Sequence, residues 1–100
     1  MIEVLDDIKN IGIPVAYGKF ESTQKPPFIV YFGSGESTFL ADNTQYYSED
    51  NYVLEYYYTR KSRKKEKELE QIFKEHEIMY DKTDDIYIDS EKIYLIKYYI

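Results

Sequence analysis

The sequence predicts an α+β fold: a single antiparallel or mixed sheet with two helices packed on one face. Two segments, 2–11 and 61–76, carry apolar residues at helical spacing. Several shorter segments alternate or run apolar in the manner of strands, with residues 52–59 and 93–100 the clearest. Glycine, proline and aspartate punctuate the chain between them. The predicted order is α-β-β-(β)-β-α-β-β-β, a sheet whose helices share one side. One hundred residues make one domain, spanning 1–100, with a single core.

In segment 2–11, Val4, Leu5, Ile8 and Ile11 form a stripe opposite Asp6, Asp7 and Lys9. Gly12 supplies a left-handed C-terminal residue and Pro14 stops the helix. Residues 15–20 read as the first strand. Pro26 and Pro27 then enforce an extended approach to an apolar strand over 28–32. Gly33-Ser34-Gly35 breaks it. A brief extended segment at 37–41 and a turn at Asp42-Asn43 follow.

Along 52–59, Tyr52, Leu54, Tyr56 and Tyr58 line one face, which is expected to meet the core. In the second helix, Leu69, Ile72, Phe73 and His76 share a stripe among lysines and glutamates. The stripe fills only the C-terminal half, so the basic first two turns are expected to project or fray, and cations there oppose the helix dipole. Residues 78–82 form another strand and Thr83-Asp84-Asp85 a turn. Residues 86–88 and 93–100 form a hairpin across 89–92, with Tyr94, Ile96, Tyr98 and Ile100 on its apolar face.

Composition narrows function mainly by exclusion. With no cysteine, disulfides, thiolate metal sites and cysteine nucleophiles are out, and a reducing compartment is favoured. The first ten residues are charged and do not read as a signal peptide, and no apolar run is long enough to span a membrane. His76, the only histidine, reads as packed or as a helix-end residue rather than catalytic. Asp6-Asp7, Asp84-Asp85 and Asp89-x-Glu91 read as solvated surface acid, not a magnesium site. Gly33-Ser34-Gly35 lacks the residues of a phosphate loop or nucleophile elbow. The expectation is therefore no catalytic residue, no metal, no cofactor and no enzyme activity.

Two features stand out. Eleven of the thirteen tyrosines lie between Tyr46 and Tyr99, and tyrosine suits half-buried sheet faces and interfaces. Residues 60–68 hold six positive and two negative side chains, +4, which leaves −10 for the rest of a chain of net charge −6. Arg60, Lys61, Arg63, Lys64, Lys65 and Lys67 spread around a helix axis. They read as a solvated surface or a contact for acidic protein rather than as specific DNA recognition.

Five segments in succession carry a family resemblance: GIPVAYGKF (12–20), PPFIVYF (26–32), ADNTQYY (41–47), YYYTRKSRKKEKELEQIF (56–73) and EKIYLIKYYI (91–100). Together they resemble the small tail-completion or tail-terminator proteins of long-tailed phages and prophages of Gram-positive bacteria. The resemblance implies a self-assembling ring, commonly a hexamer, that caps the tail tube and joins it to the head connector. It implies residence in the host cytoplasm during assembly and then in the virion. The chain is short for such proteins, so a neighbouring role at the head–tail junction stays open. On this reading Tyr46, Tyr47, Tyr56, Tyr57 and Tyr58 supply one candidate interaction surface, and Arg60, Lys61, Arg63, Lys64, Lys65 and Lys67 a second. The alternative is a small acidic inhibitor or adaptor that mimics the charge of DNA and binds a protein partner.

Overall fold

A computed structural model describes residues 2–33 and 51–100. Its elements are α1 (Ile2–Asn10), β1 (Val15–Tyr17), β2 (Phe28–Gly33), β3 (Tyr52–Tyr58), α2 (Arg63–Glu75), β4 (Asp81–Lys82), β5 (Ile86–Ile88) and β6 (Ile93–Tyr99). The extended segment expected at 37–41, the turn at Asp42-Asn43, and Tyr46 and Tyr47 lie outside the described residues.

The strands form one mixed sheet in the order β1-β2-β3-β6-β4, with β5 also paired to β6. β1 runs parallel to β2, and every other pairing is antiparallel. The parallel pair needs a crossover, which residues 18–27 provide. Their Phe20 lies over the sheet face away from the helices and meets Phe28 edge-on at 5.4 Å. β1 is shorter than the 15–20 expected because Gly18 takes φ +76 after its N–H makes a ladder bond to Tyr31 O at 2.9 Å. A positive φ turns the chain out of the strand.

Gly12, at φ +92, ends α1, and its N–H bonds Lys9 O at 2.9 Å. α2 begins two residues later than the spacing suggested, because the Ser62 side chain caps it by accepting from Lys65 N at 3.2 Å. Its exit is a Schellman turn: Glu77 stands at φ 58, Glu77 N bonds Lys74 O at 3.0 Å, and Ile78 N bonds Phe73 O at 2.8 Å. That exit draws Ile78 against the core and delays the next strand from 78 to 81.

β4 and β5 are two halves of one interrupted edge strand. The register shifts by one residue between them, so Thr83, Asp84 and Asp85 stand opposite only Ile96 and Lys97. This is a bulge rather than the turn expected there. Thr83 repairs the ladder twice: its N–H donates to Lys97 O at 3.0 Å, and its hydroxyl accepts from Lys97 N at 3.0 Å.

Both helices pack on the same face. Val4, Leu5 and Ile8 of α1 and Leu69, Ile72 and Phe73 of α2 close over Ile29, Leu54, Tyr56, Tyr58, Ile96 and Tyr98. Cross-strand partners share a face, so the even-numbered residues of β3 and β6 face the helices as the alternation predicted, except that Tyr94, beyond the reach of the helices, stays 38% exposed. The opposite face is apolar too: Val30, Ile93 and Leu95 are buried there. With Phe20, Phe28 and Tyr57, Val30 and Ile93 help line a groove of about 330 Å³ on that face.

Candidate functional site

The tyrosines and cations singled out in the sequence divide into an interior set and a surface set. Tyr56 and Tyr58 are 1% and 3% exposed, stack on each other at 5.4 Å, and belong to the core rather than to a surface patch. Tyr57 alone of the three points to the other face, where it stacks on Phe28 at 5.1 Å and donates to Glu55 at 2.8 Å.

Two of the six cations are likewise turned inward. Lys65 Nζ donates to Ile11 O at 2.6 Å and lies 3.6 Å from Glu68, tying the start of α2 to the end of α1. Lys61 Nζ lies 2.9 Å from Asp85 and 2.8 Å from Glu66. The first turns of α2 are therefore anchored, contrary to the expectation that they project or fray. Glu66 in the first turn also offsets the unfavourable cations there.

Lys61 is one end of a charge network that joins α2 to the bulge and to β4. Glu66, the one buried charged residue among those described, is held between Lys61 and Lys82; its Oε2 makes no well-aligned hydrogen bond and is stabilised by the Lys61 charge. Lys82 Nζ reaches Glu70 Oε2 at 2.6 Å, and the Tyr98 hydroxyl donates to the same oxygen at 2.8 Å. The Tyr58 hydroxyl donates to Asp85. Apart from this network, His76 Nε2 lies 2.8 Å from Asp7 and fastens the end of α2 to α1, consistent with a packed helix-end histidine.

These contacts move pKa values in opposing directions. The Tyr58 hydroxyl and the Lys61 ammonium hold Asp85 below the usual carboxylate range. Burial alone would raise Glu70, but hydrogen bonds from Lys82 and Tyr98 outweigh it and leave Glu70 lowered. Burial, with Glu66 beside it, pushes Tyr56 up to about 12. Burial and hydrogen bonds to carboxylates raise Tyr58 and Tyr98 further.

Carboxylates lowered by folding contribute stability above about pH 4, their unfolded range, and lose it as pH falls through the folded values. Phenols raised by folding contribute below about pH 10 and lose it as pH rises through the folded values. Urea midpoints are thus expected to be flat between about pH 5 and 9 and to fall on both sides. Phenolate absorbance on the alkaline limb should appear with unfolding. A midpoint that climbs below pH 4 would contradict the network.

The surface set comprises Arg60, Arg63, Lys64 and Lys67, all exposed. Among the described residues none of these four reaches a carboxylate. Arg63, Lys64 and Lys67 rim a groove of about 680 Å³ whose apolar floor is Ile11 and Ile72. Glu68 and Glu75 are also in its lining, the first beside Lys65 and the second accepting from Gln71 at 3.4 Å.

A second surface was not singled out in the sequence. On the outer edge formed by β4 and β5, Ile86 and Tyr87 are 40% and 49% exposed, with Tyr94 of β6 opposite Tyr87. The Tyr87 and Tyr94 rings lie 4.9 Å apart. Asp84, Asp89 and Glu91 flank this edge and are exposed. The only signal in the sequence was acid on both sides of an Ile-Tyr-Ile strand, which reads equally as turn chemistry.

Among the described residues no group of three or more histidines, aspartates or glutamates is placed to hold a metal ion. No helix among them is long and apolar enough to cross a membrane. No family model, curated protein or solved structure matches the chain.

Proposed function

We propose that this chain is a structural protein that acts by protein–protein assembly, as a ring subunit of the tail-completion or tail-terminator kind at a phage or prophage head–tail junction. The observation that carries the assembly reading is the presence of two unlike exposed surfaces on one small body. One is the cationic rim on α2, unpaired among the described residues; the other is the acidic, aromatic edge of β5 and β6. A ring closed by head-to-tail contacts needs two such different patches, whereas a two-fold dimer needs only one that complements itself. The junction itself rests on the resemblance of the five sequence segments.

In this role the partners are further copies of the chain, the tail tube and the head connector, with no sequence-specific DNA contact and no catalysis. Assembly takes place in the host cytoplasm and the product stays in the virion.

Light scattering across a concentration range tests the reading. The expected result is a mass that rises with concentration to a discrete multiple of the 12.1 kDa chain, a hexamer on this assignment. A mass fixed at that of the monomer throughout would overturn self-assembly and favour an acidic adaptor that mimics DNA charge.

A further inference from the structure

We infer that the joint between neighbouring copies is made by the α2 groove of one copy receiving the acidic edge of the next, centred on Ile86 and Tyr87. This rests on the assembly reading and names the surfaces that carry it. The occupant is a second copy of this chain because its two patches are opposite in charge.

The groove offers an apolar floor, Ile11 and Ile72, and a lining in which Arg63, Lys64 and Lys67 outnumber Glu75 and Glu68, the latter beside Lys65. The edge strand exposes Ile86 on one face of the sheet and Tyr87 on the other, between carboxylates at Asp84 and Asp89. None of these five charges is already committed: neither the three rim cations nor Asp84 and Asp89 meets an opposite charge among the described residues. By contrast, Lys61, Lys65 and Asp85 are tied internally and remain outside the joint. An apolar centre with a charged rim is the usual anatomy of a protein interface, and the rim charges fix partner and register.

The joint is heterologous. Groove and edge lie on different elements, so each copy keeps one free patch after pairing and the chain of contacts continues until a ring closes. Ring closure then leaves no patch unsatisfied.

A charge swap tests the assignment on the full chain. One variant carries Arg63→Glu, Lys64→Glu and Lys67→Glu; the other carries Asp84→Lys, Asp89→Lys and Glu91→Lys. All six residues are exposed and outside the internal ion pairs, so circular dichroism and urea midpoints should stay near those of the parent.

Each variant alone is expected to self-associate about tenfold or more weakly than the parent. An equimolar mixture restores opposite charge at both joints, natural groove with natural edge and acidic groove with basic edge. It should recover association beyond the 12.1 kDa monomer, with the two variants alternating. Raising the salt concentration should weaken the parent's association, since rim charges are screened.

Variants that assemble as the parent does would leave self-assembly standing and overturn this joint, with Asp84, Asp89 and Glu91 then serving only to keep a free sheet edge from pairing. Variants that both fall to monomers but fail to pair when mixed would also overturn it. A parent that never assembles would remove the assembly reading itself.

Discussion

Replacing Phe73 with alanine is expected to cost about 3–5 kcal/mol, a large part of the roughly 5–15 kcal/mol that holds a domain together. Phe73 is fully buried, and its ring lies 5.3 Å from Tyr80 and 5.5 Å from Tyr98. It is the side chain that joins α2 to β6 and to the approach to β4. Truncation removes its transfer energy and leaves a cavity between aromatic rings that cannot collapse without moving the helix. The matched control is Met79→Ala. Met79 is 91% exposed, and its loss should stay within about 0.5 kcal/mol. Urea midpoints of the two variants check this directly. A loss under about 1 kcal/mol at Phe73 would mean that α2 does not pack on the sheet as described.

The second large effect concerns Glu66. Changing Lys61 and Lys82 together to methionine leaves a carboxylate that is 7% exposed with no cation beside it. Removing the partners of a buried charge costs about 3–5 kcal/mol, whereas replacing the whole set with apolar residues is often neutral. The double variant Lys61→Met, Lys82→Met should therefore be strongly destabilised, and adding Glu66→Leu should recover most of the loss. Glu70 and Asp85 lose a cation in both variants, but each is open enough to water to be hydrated. Equal midpoints for the double and triple variants would show that Glu66 is not the seat of the cost.

These two variants mark different degrees of legibility in the sequence. Phe73 was visible from spacing, since Leu69, Ile72 and Phe73 fall on one side of a helix and only that side can be buried. The same holds for Tyr52 to Tyr58 and for Tyr94 to Ile100, where a period of two assigns alternate residues to the core. What spacing could not show is that the other sheet face also buries Val30, Ile93 and Leu95. In the sequence, Lys97 and Glu55 mark that face as polar, and the crossover through Phe20 covers part of it.

The network around Glu66 was hidden for another reason. Its members come from residues 58, 61, 66, 70, 82, 85 and 98, and nothing local connects them. The run from Arg60 to Lys67 looks uniform in the sequence, yet it contains two anchored lysines and four cations that meet no carboxylate among the described residues. Which is which depends on the bulge at Thr83, Asp84 and Asp85, which brings Asp85 to Lys61, and on the end of α1, which presents the Ile11 carbonyl to Lys65.

The sequence alone determined the α+β class, the number and order of the described elements, and which residues of each clear strand and helix face the core. Those properties follow from local periodicity and from residues that stop a helix or strand wherever they occur. The tertiary structure decided the strand order, the parallel first pair, the split edge strand and the division of the basic segment into internal and exposed cations. Each of these depends on which segments distant along the chain come within bonding reach, and the period of a single segment carries no record of its partner.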